Sequence, residues 1–145
     1  MLPMDRGSIL RVWLPLFLGL YAVYFVFVHG PGPRDAVRWV GFAVCLVGLS
    51  GVILGRYTLG RSFSVAAKAV ALVTTGIYSR IRNPIYVSSV IFILGLIGMM
   101  RRAWWLALLL IVIVPMQIIR ARHEARVLEA KFGDAYREYR ARTWF

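Results

Sequence analysis

Acidic residues are scarce in this chain. Its 145 residues include six Asp and Glu against 18 Lys and Arg. The six are Asp5, Asp35, Glu124, Glu129, Asp134 and Glu138, and none falls inside a long apolar run. A small proton-coupled exporter needs an acid within the membrane as its coupling site, so that class is disfavoured. Cys45 is the single cysteine. It has no partner for an internal disulfide and sits in an apolar run, where it reads as a small packing residue rather than a nucleophile. No metal-ligand cluster is visible. The GxGxxG and P-loop glycine patterns are missing, and nothing supports a Ser-His-Asp arrangement.

Charge of either sign is missing over four long stretches. Between Arg11 and Arg34 only His29 can ionise, and the runs Arg38 to Arg56, Arg82 to Arg101 and Arg102 to Arg120 hold no Asp, Glu, Lys or Arg. Each approaches or reaches the roughly 17–25 residues that cross a bilayer as a helix. Hydrophobic residues make up 60% of the chain and mean hydropathy is +0.71, well above an ordinary soluble domain. A buried soluble bundle needs polar outer faces, which these stretches lack. The fold class expected is an all-α polytopic membrane protein of about four transmembrane helices with a cytoplasmic C-terminal helical extension.

A net charge of +12 invites a nucleic-acid reading, but the arginines are not spread as a nucleic-acid surface would need. Arg6 and Arg11 precede the first run. Arg56, Arg61, Lys68, Arg80 and Arg82 lie in the middle segment, and seven basic residues lie in the tail. Four spans put all of these on one side, leaving only Arg34, Arg38, Arg101 and Arg102 on the other. The positive-inside rule then makes both termini and the middle segment cytoplasmic. The expected location is a bacterial inner membrane, whose anionic headgroups suit the basic side. His29 and His123 fall on opposite sides. No nucleic-acid partner is expected.

One integral-membrane domain over 1–145 is expected, with spans at about 9–28, 36–54, 84–100 and 103–120 and a cytoplasmic region at about 56–86 and 120–142. The first run is too long for a signal-peptide core and lacks a small-x-small site, so it is read as a retained helix. Gly41, Gly48, Gly51 and Gly55 permit close helix packing in the second. Val65 to Val73 reads as a short interfacial piece. Asn83-Pro84 opens the third span, asparagine as N-cap and proline at the first helical position, so the helix begins with free N–H groups and a positive dipole end. Arg101-Arg102 make a turn, flanked by interfacial Trp104 and Trp105. No breaker stands between Met116 and Lys131, so the fourth helix is expected to run on to Phe132-Gly133. A short helix, Asp134 to Arg142, follows, and Trp144-Phe145 read as membrane-surface anchors.

The polar segment at the mouth of the third span is the most informative part. Its pattern Gly76-x-Tyr78-x-x-x-Arg82-Asn83-Pro84-x-Tyr86 resembles the G-x-Y-x-x-x-R-H-P-x-Y signature of isoprenylcysteine carboxyl methyltransferases and related membrane phospholipid methyltransferases. Downstream, Glu124-x-x-x-Leu128-x-x-x-Phe132-Gly133-x-x-Tyr136-x-x-Tyr139 resembles that family's E-E-x-x-L-x-x-x-F-G-x-x-Y-x-x-Y segment. The resemblance covers roughly 56–142.

The resemblance implies a membrane methyltransferase using S-adenosyl-L-methionine. Cofactor contacts fall on Tyr78, Arg82, Asn83, Pro84, Tyr86 and Glu124. Arg82 and the helix end suit the methionine carboxylate, Glu124 the ammonium, and Tyr78 or Tyr86 the adenine or sulfonium. Catalytic roles fall on Arg120, to orient an acceptor carboxylate, and on Glu124. Methyl transfer to a carboxylate needs alignment and removal of water rather than a base. The acceptor implied is an amphipathic or lipid-linked molecule, most like a prenylcysteine carboxylate, with a phospholipid amine as the alternative. Three departures stand out: Asn83 replaces the family's histidine, Ala125 replaces the second glutamate, and the proline that closes the family's segment is missing. Ala125 keeps a non-catalytic scaffold or binding protein open; a nicotinamide-dependent membrane reductase is more remote. Plainer readings exist for single residues. Arg82 can snorkel to headgroups, Glu124 can pair with Arg120 one turn away, and Tyr136 and Tyr139 read as packing residues.

Overall fold

A computed structural model describes residues 6–59 and 72–144, with side chains from Trp13 onward except Pro15. The interfacial piece expected at Val65–Val73, the basic residues Arg61 and Lys68, and Phe145 lie wholly or mostly outside the described residues. The chain is all-helical: α1 (Arg6–His29), α2 (Ala36–Leu59), a 3-10 turn (Gly76–Ser79), α3 (Pro84–Met100), α4 (Trp104–Phe132) and α5 (Asp134–Arg142). Among the described residues there is no strand; an isolated parallel bridge joins Ile81 to Trp144.

Two helices, α2 at 24 residues and α4 at 29, are long and apolar enough to cross a membrane. Of the other two expected spans, α3 has 17 residues, and α1 is a 24-residue helix in which Leu16–His29 is apolar among the residues whose side chains are described. Only 28% of the apolar stretch of α2 and 11% of that of α4 is buried within the chain. The core helix of a soluble protein would be mostly covered. Here Val40, Val47, Leu110 and Ile111 point outward at 63%, 64%, 64% and 74% exposure. So large an apolar surface needs hydrocarbon around it, and the protein is a membrane protein.

The tightest packing is between α2 and α3. A Cβ at Gly95 would lie 2.6 Å from the Cys45 backbone N, one at Gly41 would lie 2.9 Å from the Gly95 carbonyl, and one at Gly48 would collide with the Phe92 backbone. Glycine is thus required on both helices for backbone to meet backbone, which gives membrane helices most of their packing energy. Cys45 and Met99, both fully buried, form a small core with Val23 of α1.

At the far end Arg38, counted from sequence as a loop charge, is only 2% exposed. Its guanidinium donates to the carbonyls of Phe27 (3.1 Å), Gly30 (2.8 Å), Pro31 and Gly32 (3.0 Å). It thereby satisfies the orphan acceptors at the C-terminus of α1. Asp35 pairs with Arg101 across this end. Arg101 has φ 53, and its N–H reaches the carbonyls of Ile97 and Gly98 to close α3. The turn between α3 and α4 and the loop between α1 and α2 are therefore side by side.

One feature of α4 is signalled in the sequence only by Pro115. Residues Leu109–Ile113 form a π turn. Proline lacks the N–H that would bond the Ile111 carbonyl, and its ring would strike that oxygen, so the helix widens just before it. Beyond it the helix continues unbroken to Phe132, and Gly133, at φ 52, ends it.

Glycine at the seam is testable by contrast. Gly48→Ala is expected to cost about 1–3 kcal/mol through overpacking. Gly98→Ala, whose Cβ would meet nothing closer than 3.8 Å, is expected to be neutral or to gain up to about 1 kcal/mol of helix propensity. Thermal unfolding of the two variants in detergent measures the difference.

Candidate functional site

At the opposite end from Arg38 the polar side chains of the middle segment and the tail meet. Gly76 begins the 3-10 turn at φ +60, where a Cβ would sit 3.0 Å from the Thr58 side chain. The motif's glycine thus serves both a left-handed backbone and close contact with α2. The turn buries the Tyr78 side chain and aims the chain into α3. Pro84 is at the first helical position and is fully buried. Asn83 occupies the N-cap position but, contrary to the expectation from sequence, its side chain makes no capping bond. Its backbone (φ −122, ψ 55) lies outside the extended geometry in which a cap side chain reaches back. The Asn83 carbonyl instead takes the N–H groups of Tyr86 and Val87, each at 3.1 Å. Proline has no N–H, so the first-turn donors expected to face a ligand reduce to that of Ile85, which lies beside Gly55.

Side chains from the two motifs touch. The Tyr86 hydroxyl donates to Glu124 Oε2 at 3.2 Å and is within hydrogen-bonding reach of Arg120. The Tyr86 hydroxyl thus ties the first motif to the Arg120–Glu124 turn of α4. Arg82 lies against the Tyr136 hydroxyl, and its buried Nε has no hydrogen-bond partner. Arg56, at the end of α2, faces Tyr78. Of the residues named from sequence, Tyr78, Tyr86, Arg120 and Glu124 are brought to one place, with Arg82 next to them through Tyr136. Asn83 and Pro84 shape the backbone there.

Sequence reasoning missed what Tyr136 and Tyr139 do. Tyr136 is 3% exposed and engages Arg82. The Tyr139 hydroxyl donates to the Tyr78 carbonyl at 2.8 Å. The chain beyond α5 adds two backbone bonds, Trp144 N–H to the Arg80 carbonyl (2.7 Å) and Arg82 N–H to the Trp144 carbonyl (3.1 Å). Helix α5 is thus tied along its length to the first motif. The signal available was the three-residue spacing of the tyrosines, which puts both rings on one side of a helix.

Burial sets the protonation of this cluster. It pushes the Tyr78 hydroxyl well above the ordinary tyrosine range, with Glu124 adding to the shift. It also raises Tyr136, where Arg82 opposes it, and Tyr139, to about 12. These phenols stay neutral at physiological pH, available as donors and ring faces but not as bases. The carboxylate of Glu124 among arginines Arg56, Arg82 and Arg120 makes a cationic site with one anionic group. A zwitterionic amino acid moiety fits this donor set: a carboxylate on Arg82, whose Nε is unspent, and an ammonium on Glu124. Among the described residues no group of three or more His, Cys, Asp or Glu is placed to hold a metal.

Two measurements check this arrangement. Tyr139→Phe leaves the Tyr78 carbonyl without its donor, at a cost of about 1 kcal/mol, so amide hydrogen exchange over Gly76–Tyr86 is expected to quicken about fivefold. Tyr139 also makes stability depend on alkaline pH. Its folded value of about 12 exceeds an unfolded value near ~10. Its contribution is therefore full below pH ~10 and is lost as pH rises toward about 12. Unfolding melts of wild type against Tyr139→Phe between those limits show it.

Comparison with known proteins agrees with the two motifs. A nickel-cobalt-cadmium resistance protein of Alcaligenes xylosoxydans xylosoxydans is 32% identical over 109 residues, 72% of this chain. The match spans 50% of that relative, so the chain accounts for about half of its length. No solved structure matches the chain. The phospholipid methyltransferase pattern matches residues 36–135, from the start of α2 through the first motif and the second as far as the start of α5, short of Tyr136 and Tyr139, and the chain belongs to that family.

Proposed function

We propose that the protein is an S-adenosyl-L-methionine-dependent membrane methyltransferase acting on a lipophilic or lipid-linked acceptor. The observation that carries this reading is the meeting of Tyr86 and Glu124, residues of two separate motifs, with Arg120 and beside an Arg82 whose Nε is unspent. The cofactor would supply a methyl group on a cationic sulfur. Arg82 would hold its carboxylate and Glu124 its ammonium, while the neutral rings of Tyr78 and Tyr86 offer faces to the sulfonium or the adenine. Helices α3 and α4 keep bulk water from the membrane side of the site, and a charged nucleophile stripped of water reacts faster.

The acceptor is best read as anionic. Three arginines surround one carboxylate, so a carboxylate on an amphipathic molecule, as in a prenylcysteine, is the first choice, oriented by Arg120. Such a group is already ionised and needs no base. The family's description as phospholipid methyltransferases favours a second reading, an amine on a phospholipid whose phosphate meets the arginines. An ammonium must lose a proton before it can attack, and in this reading Glu124 would accept it in place of holding the cofactor's ammonium. In this reading all four apolar helices span the membrane, with the site and both termini on the cytoplasmic side of a bacterial inner membrane. The 17 residues of α3 stand at the lower limit for spanning.

Isothermal calorimetry on detergent-purified protein is expected to detect binding of S-adenosylhomocysteine. Arg82→Ala and Glu124→Ala should each weaken it about tenfold or more, since each removes a charge-assisted contact of about 1.5–3 kcal/mol. Failure of folded wild-type protein to bind would end the enzyme reading. A carboxylate acceptor would give methyl incorporation that base hydrolyses, whereas a methylated amine survives base.

A further inference from the structure

One turn and two turns inside the membrane from Tyr86 and Glu124 lies a second polar contact between α3 and α4. The Ser89 hydroxyl approaches the Gln117 carboxamide, with 3.1 Å from Gln117 Nε2 to Ser89 Oγ and 3.3 Å from Ser89 Oγ to Gln117 Oε1. Ser89 Oγ also lies 2.9 Å from the Tyr86 carbonyl. A hydroxyl has one proton. The shorter bond draws it to the Tyr86 carbonyl, and Ser89 then accepts one N–H of Gln117. The pair by itself leaves the Gln117 carbonyl and second N–H for another partner. Polar side chains within an apolar span are costly unless paired, and neutral ones serve as interhelical glue or as ligand contacts. Elsewhere on α3 the close helix contact is made by glycines against α2, whereas α3 and α4 are bridged here by long side chains.

Seven residues separate Gln117 from Glu124, which places the amide roughly 10 Å deeper in the membrane. The residues one turn further inward, Ile93 on α3 and Ile113 and Val114 on α4, are apolar. From the cytoplasm inward the cleft between α3 and α4 is thus charged, then neutral and polar, then apolar. An amphipathic molecule has the same order: charged head, ester or amide linkage, hydrocarbon tail.

We propose that Ser89 and Gln117 form a subsite for the carbonyl linkage of the acceptor, with Gln117 N–H donating to the ester or amide oxygen that joins its head to its tail. This rests on the proposed methyl transfer for the identity of the molecule as acceptor. A neutral carboxamide can recognise a neutral carbonyl at this depth without the penalty of a buried charge. The subsite fixes how far the acceptor sinks, and so holds its reactive atom level with Arg120 and Glu124.

The test uses paired probes that differ only in that carbonyl, bound to purified protein and read by native mass spectrometry. One pair is diacyl against dialkyl-ether phosphatidylethanolamine. The other is an N-acylated S-prenyl cysteine against its counterpart lacking the amide. Wild type is expected to prefer the carbonyl-bearing member of at least one pair about tenfold, the value of one well-made hydrogen bond. Gln117→Leu should abolish the preference while leaving S-adenosylhomocysteine affinity unchanged. Gln117→Met serves if the leucine variant does not fold. A wild type that distinguishes neither pair, or a preference that survives both variants, would overturn the subsite and leave Ser89 and Gln117 as an interhelical strut. Loss of cofactor binding in wild type with the lipid preference intact would instead sink the methyltransferase reading and keep the subsite as a lipid site.

Discussion

Glycines at Gly41, Gly48 and Gly95 let α2 and α3 lie backbone against backbone, and the position of every polar group at the site end follows from that contact. In hydrocarbon there is no hydrophobic gain in bringing two apolar helices together, so close van der Waals fit must supply the attraction. The seam continues to Gly55, where a Cβ would meet Ile85 Cγ1 at 2.7 Å. The end of α2 is therefore locked to the beginning of α3. Arg56 follows Gly55 directly and so faces the turn that buries Tyr78, while Gly76 in that turn rests on Thr58 of the same helix. A wider seam would part Arg56 from Tyr78.

The two ends of the bundle use the same residue types for opposite purposes. At one end Arg38 spends its donors on four backbone carbonyls, and Arg101 is paired with Asp35. The arginine there closes a helix terminus that lipid cannot solvate. At the other end Arg82 keeps a buried Nε without a partner, as Arg38 also does, but Glu124 there accepts from the Tyr86 hydroxyl of the first motif. What makes the second end a site is the meeting there of one carboxylate, several arginines and the tyrosine hydroxyls between them.

Much of this was legible in the sequence where a local rule decides. Proline after Asn83 marked the start of α3, Gly133 the end of α4, and the glycine spacing in α2 its packing face. The tail helix from Asp134 to Arg142 could be read in the same way. What escaped depended on contacts far apart along the chain. Tyr136 and Tyr139 read as packing residues because their partners, Arg82 and the Tyr78 carbonyl, belong to a segment that only the fold brings near. The exposed Trp144 read as a membrane anchor, and its backbone turns out to pair with Arg80 and Arg82. Asn83 shows the opposite failure: a residue with the right propensity in the right place whose ψ angle denies it the bond. Arg38 looked like a loop charge because composition cannot show which carbonyls it would find.

Pro115 links these observations. An α-helix turns 100° per residue, and a π turn carries one residue more than a regular turn. The widened segment at Leu109–Ile113 therefore rotates everything after it by about 100° relative to an unbroken helix. Gln117, Arg120 and Glu124 all follow it, and they share one side of α4 because they are spaced three and four apart. With a regular helix, the stretch of α4 that packs before Ile113 would send these three away from α3, and the rungs Tyr86–Glu124 and Ser89–Gln117 would be lost together. A proline that is costly in a span thus sets the aim of Glu124, the acidic side chain joined to the first motif. The irregularity belongs to the site as much as the side chains do.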